Sequence, residues 1–446
     1  MMSMGMDTRE FLRDMIPAAI ALVFMSLYMI VDGAFVSVLV GSDALAAINI
    51  VYPIADLMYA FGSMFAAGTA VQVAIRYGQG KEKEANMDAG MGMTASIIVG
   101  MLLMVGFLFF LRPVCSMLGA TSRTMQYCIE YGIPTCVAIP CGMVKEMYLF
   151  LLRCDESPKW SMVLSIIGGV VNIILDYLFI AVFGWGIAGA GWATVIGMLA
   201  GCLVGILYFF RERGKMKLHF VMPTVSYIWG ISIKGLSNFA NNFAAAIITF
   251  LYNIVTLPIA GENGIAAVTI ILYAQFLFLS VFTGYMAGAA PLFGFHYGAG
   301  EIERNQKLFR FCAGLVLITS VTIFAIAELF GGSLIQCMVT QQEVEILARK
   351  GMHMYAFNFL AAGVNIFAAG IFTAFGNGFY GGIISFSRAL VVLGGALLIL
   401  PHFLGMNGIW LASVVAEGIT LFVSLILLLL PSNRKKYQYI MCKAGK

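Results

Sequence analysis

Residues 41–80 read GSDALAAINIVYPIADLMYAFGSMFAAGTAVQVAIRYGQG, and residues 261–300 read GENGIAAVTIILYAQFLFLSVFTGYMAGAAPLFGFHYGAG. The two stretches align without a gap at an offset of 220 residues, and 11 of their 40 positions are identical. A second, shorter match has an offset of 219 residues. It aligns Thr194 with Ser413, and it aligns the glycines and alanines around Thr194 with those around Ser413. We interpret the chain as two copies of one unit.

The composition around these repeats is that of a membrane protein. Of 446 residues, 61% are hydrophobic and only 11% are charged, and the mean hydropathy is +0.94. A soluble domain carries about 25% charged residues, and a chain of this length has too little interior to bury so much apolar surface. These values exclude a soluble enzyme, a nucleic-acid-binding protein and a disordered scaffold.

Apolar runs of membrane-spanning length divide the chain evenly. A helix needs about 20 apolar residues to cross a bilayer. This length predicts twelve spans, at approximately 15–39, 47–76, 91–111, 126–152, 160–183, 187–210, 229–259, 265–296, 309–330, 347–375, 383–403 and 408–430. The first run shows no signal-peptide cleavage site, and we interpret it as a retained span.

The repeat and the spans together predict an architecture. Six spans return the chain to its starting side, so the two copies share one orientation and are related by an axis along the membrane normal. We therefore expect an all-α polytopic membrane protein with twelve transmembrane helices in two pseudo-symmetric six-helix bundles around a central cleft. The N-lobe would span residues 1–215, and the C-lobe would span residues 216–446.

Basic residues predict the orientation. Twenty of the 26 Lys and Arg residues fall on the face that holds both termini or at its helix ends, and four fall on the opposite face. The positive-inside rule then places both termini in the cytoplasm of a multi-pass protein in the plasma (inner) membrane.

Few acidic residues lie deep within the predicted spans, and each costs free energy there. Asp32 lies in span one and Asp176 in span five, with Asn172 one helical turn before it. Thr194 lies early in span six. These hard oxygen donors suit Na⁺, and a pair of desolvated carboxylates equally suits a proton. A purely local hydrogen-bonding role is the alternative.

The second copy offers a comparison for this cluster. Asp32 aligns with Tyr252, Asn172 with Val391 and Asp176 with Gly395, so the acids are absent from the equivalent positions. A purely architectural requirement would be expected in both copies. The asymmetry therefore favours a function located in the first half.

Other charged residues allow several roles. Asp56, Lys145 and Glu146 could line the cleft, and adjacent Lys145 and Glu146 should point about 100° apart. Glu417, in the middle of span twelve, could form a second polar site. Lys234 and Arg388 are expected to extend to the cytoplasmic interface. The nine cysteines have no metal-site or disulfide spacing, and without a Walker A motif we expect neither a cofactor nor an ATP site.

Four segments together resemble the MATE (multidrug and toxin extrusion) family of secondary transporters. They are residues 16–54, the RYGQGKEKEA segment after span two, NIILDYLFIAVFGWGIAGAGWATVIG and GAAPLFGFHYGAGEIERNQ. The resemblance covers nearly the whole chain. It implies two six-helix lobes, V-shaped alternating access, and efflux driven by H⁺ or Na⁺.

The resemblance also assigns roles to individual positions. It implies that Asp32, Asn172, Asp176 and Thr194 bind the coupling cation, that the first helix bends at Pro17, and that Tyr131 lies near the site. Some members use acids in helices seven and ten, which spans seven and ten here lack. The chain therefore resembles the branch that couples through the N-lobe.

We therefore expect a cation-coupled antiporter that exports organic, cationic or amphipathic compounds by alternating access. We expect it to act as a monomer in contact with membrane lipids and without nucleic acid. The alternative is a lipid-linked oligosaccharide or lipid flippase of the same superfamily. Those proteins often have fourteen spans and basic residues in the cavity, whereas this chain has twelve predicted spans and no mid-span Arg in its first half.

Overall fold

The computed structural model describes residues 11–27, 42–211, 214–338 and 341–429. Within these ranges the regular structure is entirely helical. Two of the helices, α5 and α12, continue into short π-helical segments. The helices are α1 (11–27), α2 (Ser42–Gly78), α3 (Glu82–Met117), α4 (Met125–Cys154), α5 (Pro158–Asp176, then π-helical Tyr177–Val182), α6 (Gly186–Phe210), α7 (Val225–Lys234), α8 (Leu236–Gly298), α9 (Ile302–Met338), α10 (Gln342–Ala356), α11 (Asn358–Ala374), α12 (Gly378–Phe386, then π-helical Ser387–Val391), α13 (Val392–Leu404) and α14 (Met406–Leu429).

The helices confirm the predicted order of spans. In the described ranges, ten helical segments are long and apolar enough to cross a membrane, and the number is eleven when α10 and α11, bent by 49°, are counted together as one span. Gly261, at a φ of 61°, interrupts α8 and separates its two spans. The first predicted span is described only through residue 27. Predicted span seven starts at 229, but the structure breaks the helix between Lys234 and Leu236.

Two apolar cores correspond to the two halves of the chain. One core is built mainly from α2 to α6, and the other mainly from α8 to α14. The opening helix of each half crosses to the opposite core. Phe11 and Met15 of α1 pack in the second core, where Phe11 meets Phe311 at a ring distance of 5.8 Å. Ile231 of α7 packs in the first core.

Glycines in α2 and α8 let the two halves approach closely, and they do so reciprocally. A Cβ on Gly78 would overlap the carbonyl oxygen of Phe295, and a Cβ on Gly298 would overlap that of Ile75. Gly78 and Gly298, like Ile75 and Phe295, are 220 residues apart. Residues that align in the two copies of the repeat therefore make equivalent close contacts in the structure.

The linker between the halves is held against the first half. The buried carboxylate of Asp155 accepts hydrogen bonds from the Tyr208 hydroxyl at 2.8 Å and from the backbone N–H groups of Lys215 and Met216 at 2.9 and 2.8 Å. Farther along, the Tyr227 hydroxyl donates to the carbonyl oxygen of Asp88 at 2.7 Å. The chain is thus attached to the N-terminal half as far as α7.

Candidate functional site

Small residues bring α5 and α6 together where three predicted site residues lie. A Cβ on Gly197 would stand 2.8 Å from the carbonyl oxygen of Gly168 and 2.9 Å from the Cβ of Asn172. Such distances leave no room for a larger side chain on either helix. Glycine at 168 and 197 therefore sets the helix separation that brings Asn172 close to α6.

Asn172 and Thr194 are in contact across this interface. The Asn172 Nδ2 donates to Thr194 Oγ1 at 3.4 Å, and Thr194 Oγ1 donates to the carbonyl oxygen of Ala190 at 3.1 Å. Asn172 is 5% exposed, and its buried Oδ1 accepts no hydrogen bond from the residues that the structure describes. A buried acceptor without a donor costs free energy, so this oxygen is available to a cation or a proton-bearing group.

Asp176 completes the described part of the cluster. It is fully buried and lies one turn after Asn172 on the same face of α5. The helix changes to π geometry immediately after it, over Tyr177–Val182. Such segments are frequent at functional sites because they alter the direction of side chains within a helix. Asp32 lies outside the described residues.

Tyr131 and Pro17, whose roles the family resemblance implied, both lie within the described residues. Tyr131 of α4 is buried, and its carbonyl oxygen would lie 3.5 Å from a Cβ on Gly191, one turn before Thr194 in α6. Pro17 lies inside α1 with its side chain buried. A role for Tyr131 near the site and a bend at Pro17 remain predictions.

Lys145 and Glu146 of α4 face different helices, as their adjacent positions require. The Lys145 Cδ would lie 3.6 Å from a Cβ on Gly201 of α6, whereas the Glu146 Cγ would lie 3.6 Å from one on Gly62 of α2. Lys145 is buried and Glu146 is half-buried, as is Asp56 of α2. The place of Asp56, Lys145 and Glu146 in the cleft remains a prediction.

The C-terminal half contains a polar network around Glu417, the residue that the sequence marked for a second polar site, but the partners of Glu417 were not predicted. Arg388 pairs with Glu417, with its Nη1 3.1 Å from Glu417 Oε1. Asn365 donates to the other carboxylate oxygen of Glu417 at 2.7 Å. The prediction that Arg388 extends to the cytoplasmic interface is therefore wrong. A mid-span acid and a basic residue of the same half are the signal that could have revealed the pair.

A second charged group lies where the halves meet, near the ends of α2 and α8. Arg76 Nε is 2.5 Å from Asp88 Oδ2, and Asp88 is 1% exposed. Lys234, half-buried at the end of α7, donates to Gln72 of α2. Lys234 thus contacts the first half in addition to lying near a helix end.

A family comparison agrees with the internal repeat. The MatE family model matches the chain twice, over residues 17–178 and 238–397, once in each half. The chain belongs to the MatE family. The MatE match includes the segment that holds Asn172 and Asp176, and membership makes the chain a multi-pass membrane transporter and not an enzyme.

The alignments with curated MatE relatives cover nearly the full length of this chain and of each relative. The chain is similar to the "Multidrug export protein MepA" of Staphylococcus haemolyticus (strain JCSC1435), with 23% identity over 94% of this chain and 92% of that protein. The protein of the same name from Staphylococcus saprophyticus subsp. saprophyticus is 22% identical over 94% and 93%.

Solved MatE structures share the fold. A crystal structure of MATE in complex with MaL6 superposes with a TM-score of 0.90, at 21% identity and 96% coverage of both chains. The outward-facing conformation of a multidrug resistance MATE family transporter of the MOP superfamily gives 0.89, at 20% identity and 96% coverage of both. These likenesses confirm the two-bundle fold with twelve transmembrane helices around a cleft.

The donor set narrows the kind of ion the cluster could hold. Within the described ranges, His, Cys, Asp and Glu side chains do not form a group of three that could hold a metal ion. The oxygens of Asn172, Asp176 and Thr194 are instead the donors that a hard monovalent cation or a proton uses. The arrangement suits reversible binding of a coupling ion.

Proposed function

We propose that the protein is a cation-coupled antiporter that exports organic, cationic or amphipathic compounds and is driven by H⁺ or Na⁺. The names of the curated relatives support multidrug export. The coupling ion would bind at Asn172, Asp176 and Thr194, together with Asp32. The observation that carries the proposal is the buried Asn172 Oδ1, beside Thr194 and one turn from Asp176.

The energetics favour a site of this kind for coupling. A buried carboxylate is costly when ionised and alone, so it holds a cation or a proton when the surroundings are dry and exchanges it when water enters. The entry of one charge is worth about 2.3 kcal/mol per 100 mV. One pH unit adds about 1.4 kcal/mol per proton. Either gradient can therefore drive export against a concentration difference.

The packing of the two halves indicates which state of the transport cycle the structure represents. We place both termini and the ends of α2 and α8 at the cytoplasmic face, following the basic residues. The close contact between Gly78 and Phe295 then closes the cytoplasmic side. In this outward-facing state Asp176 would take up the cation from outside, substrate would leave, and the lobes 1–215 and 216–446 would rock inward. We expect the transporter to work as a monomer within the lipid bilayer.

Transport by reconstituted protein tests the proposal. Purified protein in vesicles would be loaded with ethidium, a fluorescent organic cation, and H⁺ and Na⁺ gradients would be imposed separately. We expect one gradient to drive ethidium export and Asp176→Asn to abolish that export. Glu130→Gln is the matched control, because Glu130 is a half-buried carboxylate near the start of α4, bonded to Gln126 and outside the cluster.

The outcomes separate coupling from stability. Asp176→Asn should still exchange ethidium across vesicles without a gradient, because substrate binding and the lobes remain intact. Full gradient-driven export by Asp176→Asn, or wild-type protein that responds to neither gradient, would refute the proposal.

A further inference from the structure

The C-terminal half holds an ion pair in its interior. Arg388 Nη1 lies 3.1 Å from Glu417 Oε1, and the two side chains are 14% and 6% exposed. Arg388 lies ten residues into α12, which starts at Gly378, and ten residues of helix span about 15 Å. That depth is about half of a bilayer core. The pair therefore lies near the middle of the membrane.

Both partners are held by further polar groups on other helices. Asn365 of α11 donates to Glu417 Oε2 at 2.7 Å and to the Glu417 carbonyl oxygen at 2.9 Å. Ser424 donates to Asn365 Oδ1 at 3.3 Å. Arg388 Nη2 donates to Asn241 Oδ1 of α8 at 3.3 Å. Each carboxylate oxygen of Glu417 thus accepts a hydrogen bond, as an ionised carboxylate in a dry interior requires.

The charged and titratable neighbours are few. In the described part of the chain, Arg388 faces Glu417 from α12, and Tyr355 interacts with both from α10. Tyr252 of α8 interacts in turn with Tyr355. The neighbours from α11 and α14 are the neutral Asn365 and Ser424. The charge state of Glu417 therefore depends mainly on Arg388.

Arg388 lies on a part of its helix that can change register. The segment Ser387–Val391 is π-helical. A π-helical turn carries one extra residue, and its migration along the helix by one position rotates a side chain by about 100°. Such a shift would move Arg388 away from Glu417. The corresponding helix of the first half also has a π-helical segment, which directly follows Asp176.

Arg388 is also connected to the boundary between the halves. Its partner Asn241 is adjacent to Asn242, whose Nδ2 donates to Ser63 Oγ of α2 at 3.0 Å. Phe239 of α8 also meets Phe61 of α2, with ring centroids 5.2 Å apart. Rocking of the lobes must break these contacts, and α8 transmits the movement to Asn241 and Arg388.

We propose that Glu417 is a second proton-binding site of the transporter, with Arg388 as its built-in counter-ion. While the pair is closed, as here, Glu417 is ionised. When the lobes move and the π-helical segment shifts, Arg388 leaves, and the isolated buried carboxylate takes one proton from water to become a neutral acid. Arg388 stays protonated throughout and keeps its hydrogen bond to Asn241. The inference rests on the proposed antiport and adds a proton that the N-lobe cluster does not bind.

Steady-state accumulation tests the proposal. Vesicles containing the full chain would be held at zero membrane potential and zero Na⁺ gradient, and the ethidium ratio across the membrane would be measured at several pH differences. Each coupled proton multiplies the ratio by about ten per pH unit. We expect the ethidium ratio in Glu417→Gln to be about tenfold lower than in the wild type for each unit of pH difference, because one coupled proton is lost. Thr420→Val, which replaces a buried hydroxyl of α14 that has no hydrogen-bond partner among the described residues, should keep the wild-type response.

The results discriminate between a proton-binding site and a structural clamp, that is, an ion pair that only holds the helices together. A clamp would alter the rate of transport or the amount of folded protein but not the ratio per pH unit, so an unchanged ratio in Glu417→Gln overturns the proposal. So does a wild type that responds to Na⁺ alone, and that result leaves the proposed antiport intact. Failure of both gradients in the wild type refutes the antiport itself.

A second measurement covers the case in which Glu417→Gln does not fold. Infrared difference spectra of wild-type protein at low and high pH report the carbonyl stretch of protonated carboxyl groups. We expect one such band to move in the conservative variant Glu417→Asp and to stay in place in Thr420→Val. A wild-type spectrum without a band that Glu417→Asp moves would overturn the proposal.

Discussion

Asn172 and Thr194 are joined by a 3.4 Å hydrogen bond that runs from α5 to α6. The bond links two of the residues that charge scarcity and spacing had marked in the sequence. It also fixes the amide so that its Oδ1 accepts no hydrogen bond from the described residues. The orientation of this amide is therefore the first feature to test by substitution.

Thr194→Val should weaken coupling without unfolding the protein. The change keeps the side-chain volume but removes an acceptor for Asn172, and a hydrogen bond of this kind is worth about 1 kcal/mol. We expect the concentration of H⁺ or Na⁺ that half-activates ethidium export to rise by about five- to tenfold, and Thr194→Ser to restore the wild-type value.

A matched control for this prediction lies on the same helix. Ser165 of α5 is buried, and its hydroxyl has no hydrogen-bond partner in the described part of the chain. Ser165→Ala should leave the half-activating concentration unchanged. An equal change in Ser165→Ala and Thr194→Val would mean that packing of α5, and not the amide, governs cation binding.

The packing of the helix ends predicts an effect on conformation. A Cβ on Gly298 would overlap the carbonyl oxygen of Ile75, so Gly298→Ala should prevent full closure between α2 and α8. We expect the population to shift toward the state open on that side. The distance between spin labels on Gln79 and Ala299, measured by pulsed electron resonance, should lengthen.

Gly314 provides the control for that measurement. It also lies within a helix, but a Cβ on it would meet no atom within 4 Å. Gly314→Ala should leave the label distance as in the wild type. An unchanged distance in Gly298→Ala would show that the ends of the helices adjust locally.

The linker contacts predict that two adjacent acidic residues contribute differently to the stability of the linker. Asp155 is buried and accepts three hydrogen bonds, whereas Glu156 is exposed and pairs with Lys215 at 2.9 Å. Asp155→Ala leaves buried donors unsatisfied and should cost about 1–3 kcal/mol. Trypsin should then cut the linker after Lys215 and Lys217 much faster. Glu156→Ala should change the cleavage rate little, because exposed ion pairs contribute little stability.

Asp155 also predicts a pH dependence of stability. Burial raises the pKa of the Asp155 carboxyl above 3.8, although hydrogen bonds from Tyr208 and the backbone oppose the shift. The folded state therefore holds this proton to higher pH than the unfolded state does. The contribution of Asp155 to stability is greatest below pH 3.8 and falls as the pH rises through the folded-state pKa.

Thermal denaturation in detergent at a series of pH values measures this contribution. We expect Asp155→Asn to flatten the fall in melting temperature that begins above pH 3.8. A steeper fall in the variant than in the wild type would contradict the sign of the shift.

The sequence predicted what depends on composition and local spacing. Hydropathy predicted the spans, the 220-residue offset predicted the equivalence of Gly78 and Gly298, and a four-residue spacing placed Asn172 and Asp176 on one face. Arg388 was misplaced because its predicted span starts at 383, whereas α12 starts at Gly378 and carries Arg388 deeper. Its pairing with Glu417 joins different helices, and sequence spacing carries no information about such contacts.

The crossing of α1 and α7 was likewise beyond sequence reasoning. Which helix a glycine or an apolar side chain meets depends on the angle at which helices cross, and that angle is set by the whole bundle. Met15 and Ile231 lie in similar apolar segments, yet each packs in the core of the opposite half. The predicted boundary at residue 215 follows the chain and does not anticipate this exchange.

That exchange has a consequence for how the protein is made. Gly284, Gly288 and Cys312 contact residues 14–19 of α1, and the ribosome synthesises them more than 260 residues later. The helices can enter the bilayer one by one, but the early half cannot complete its packing until the later half has been inserted. A nascent chain that stalls near the linker would leave α1 without its docking surface and present an incomplete protein to the cell's membrane proteases.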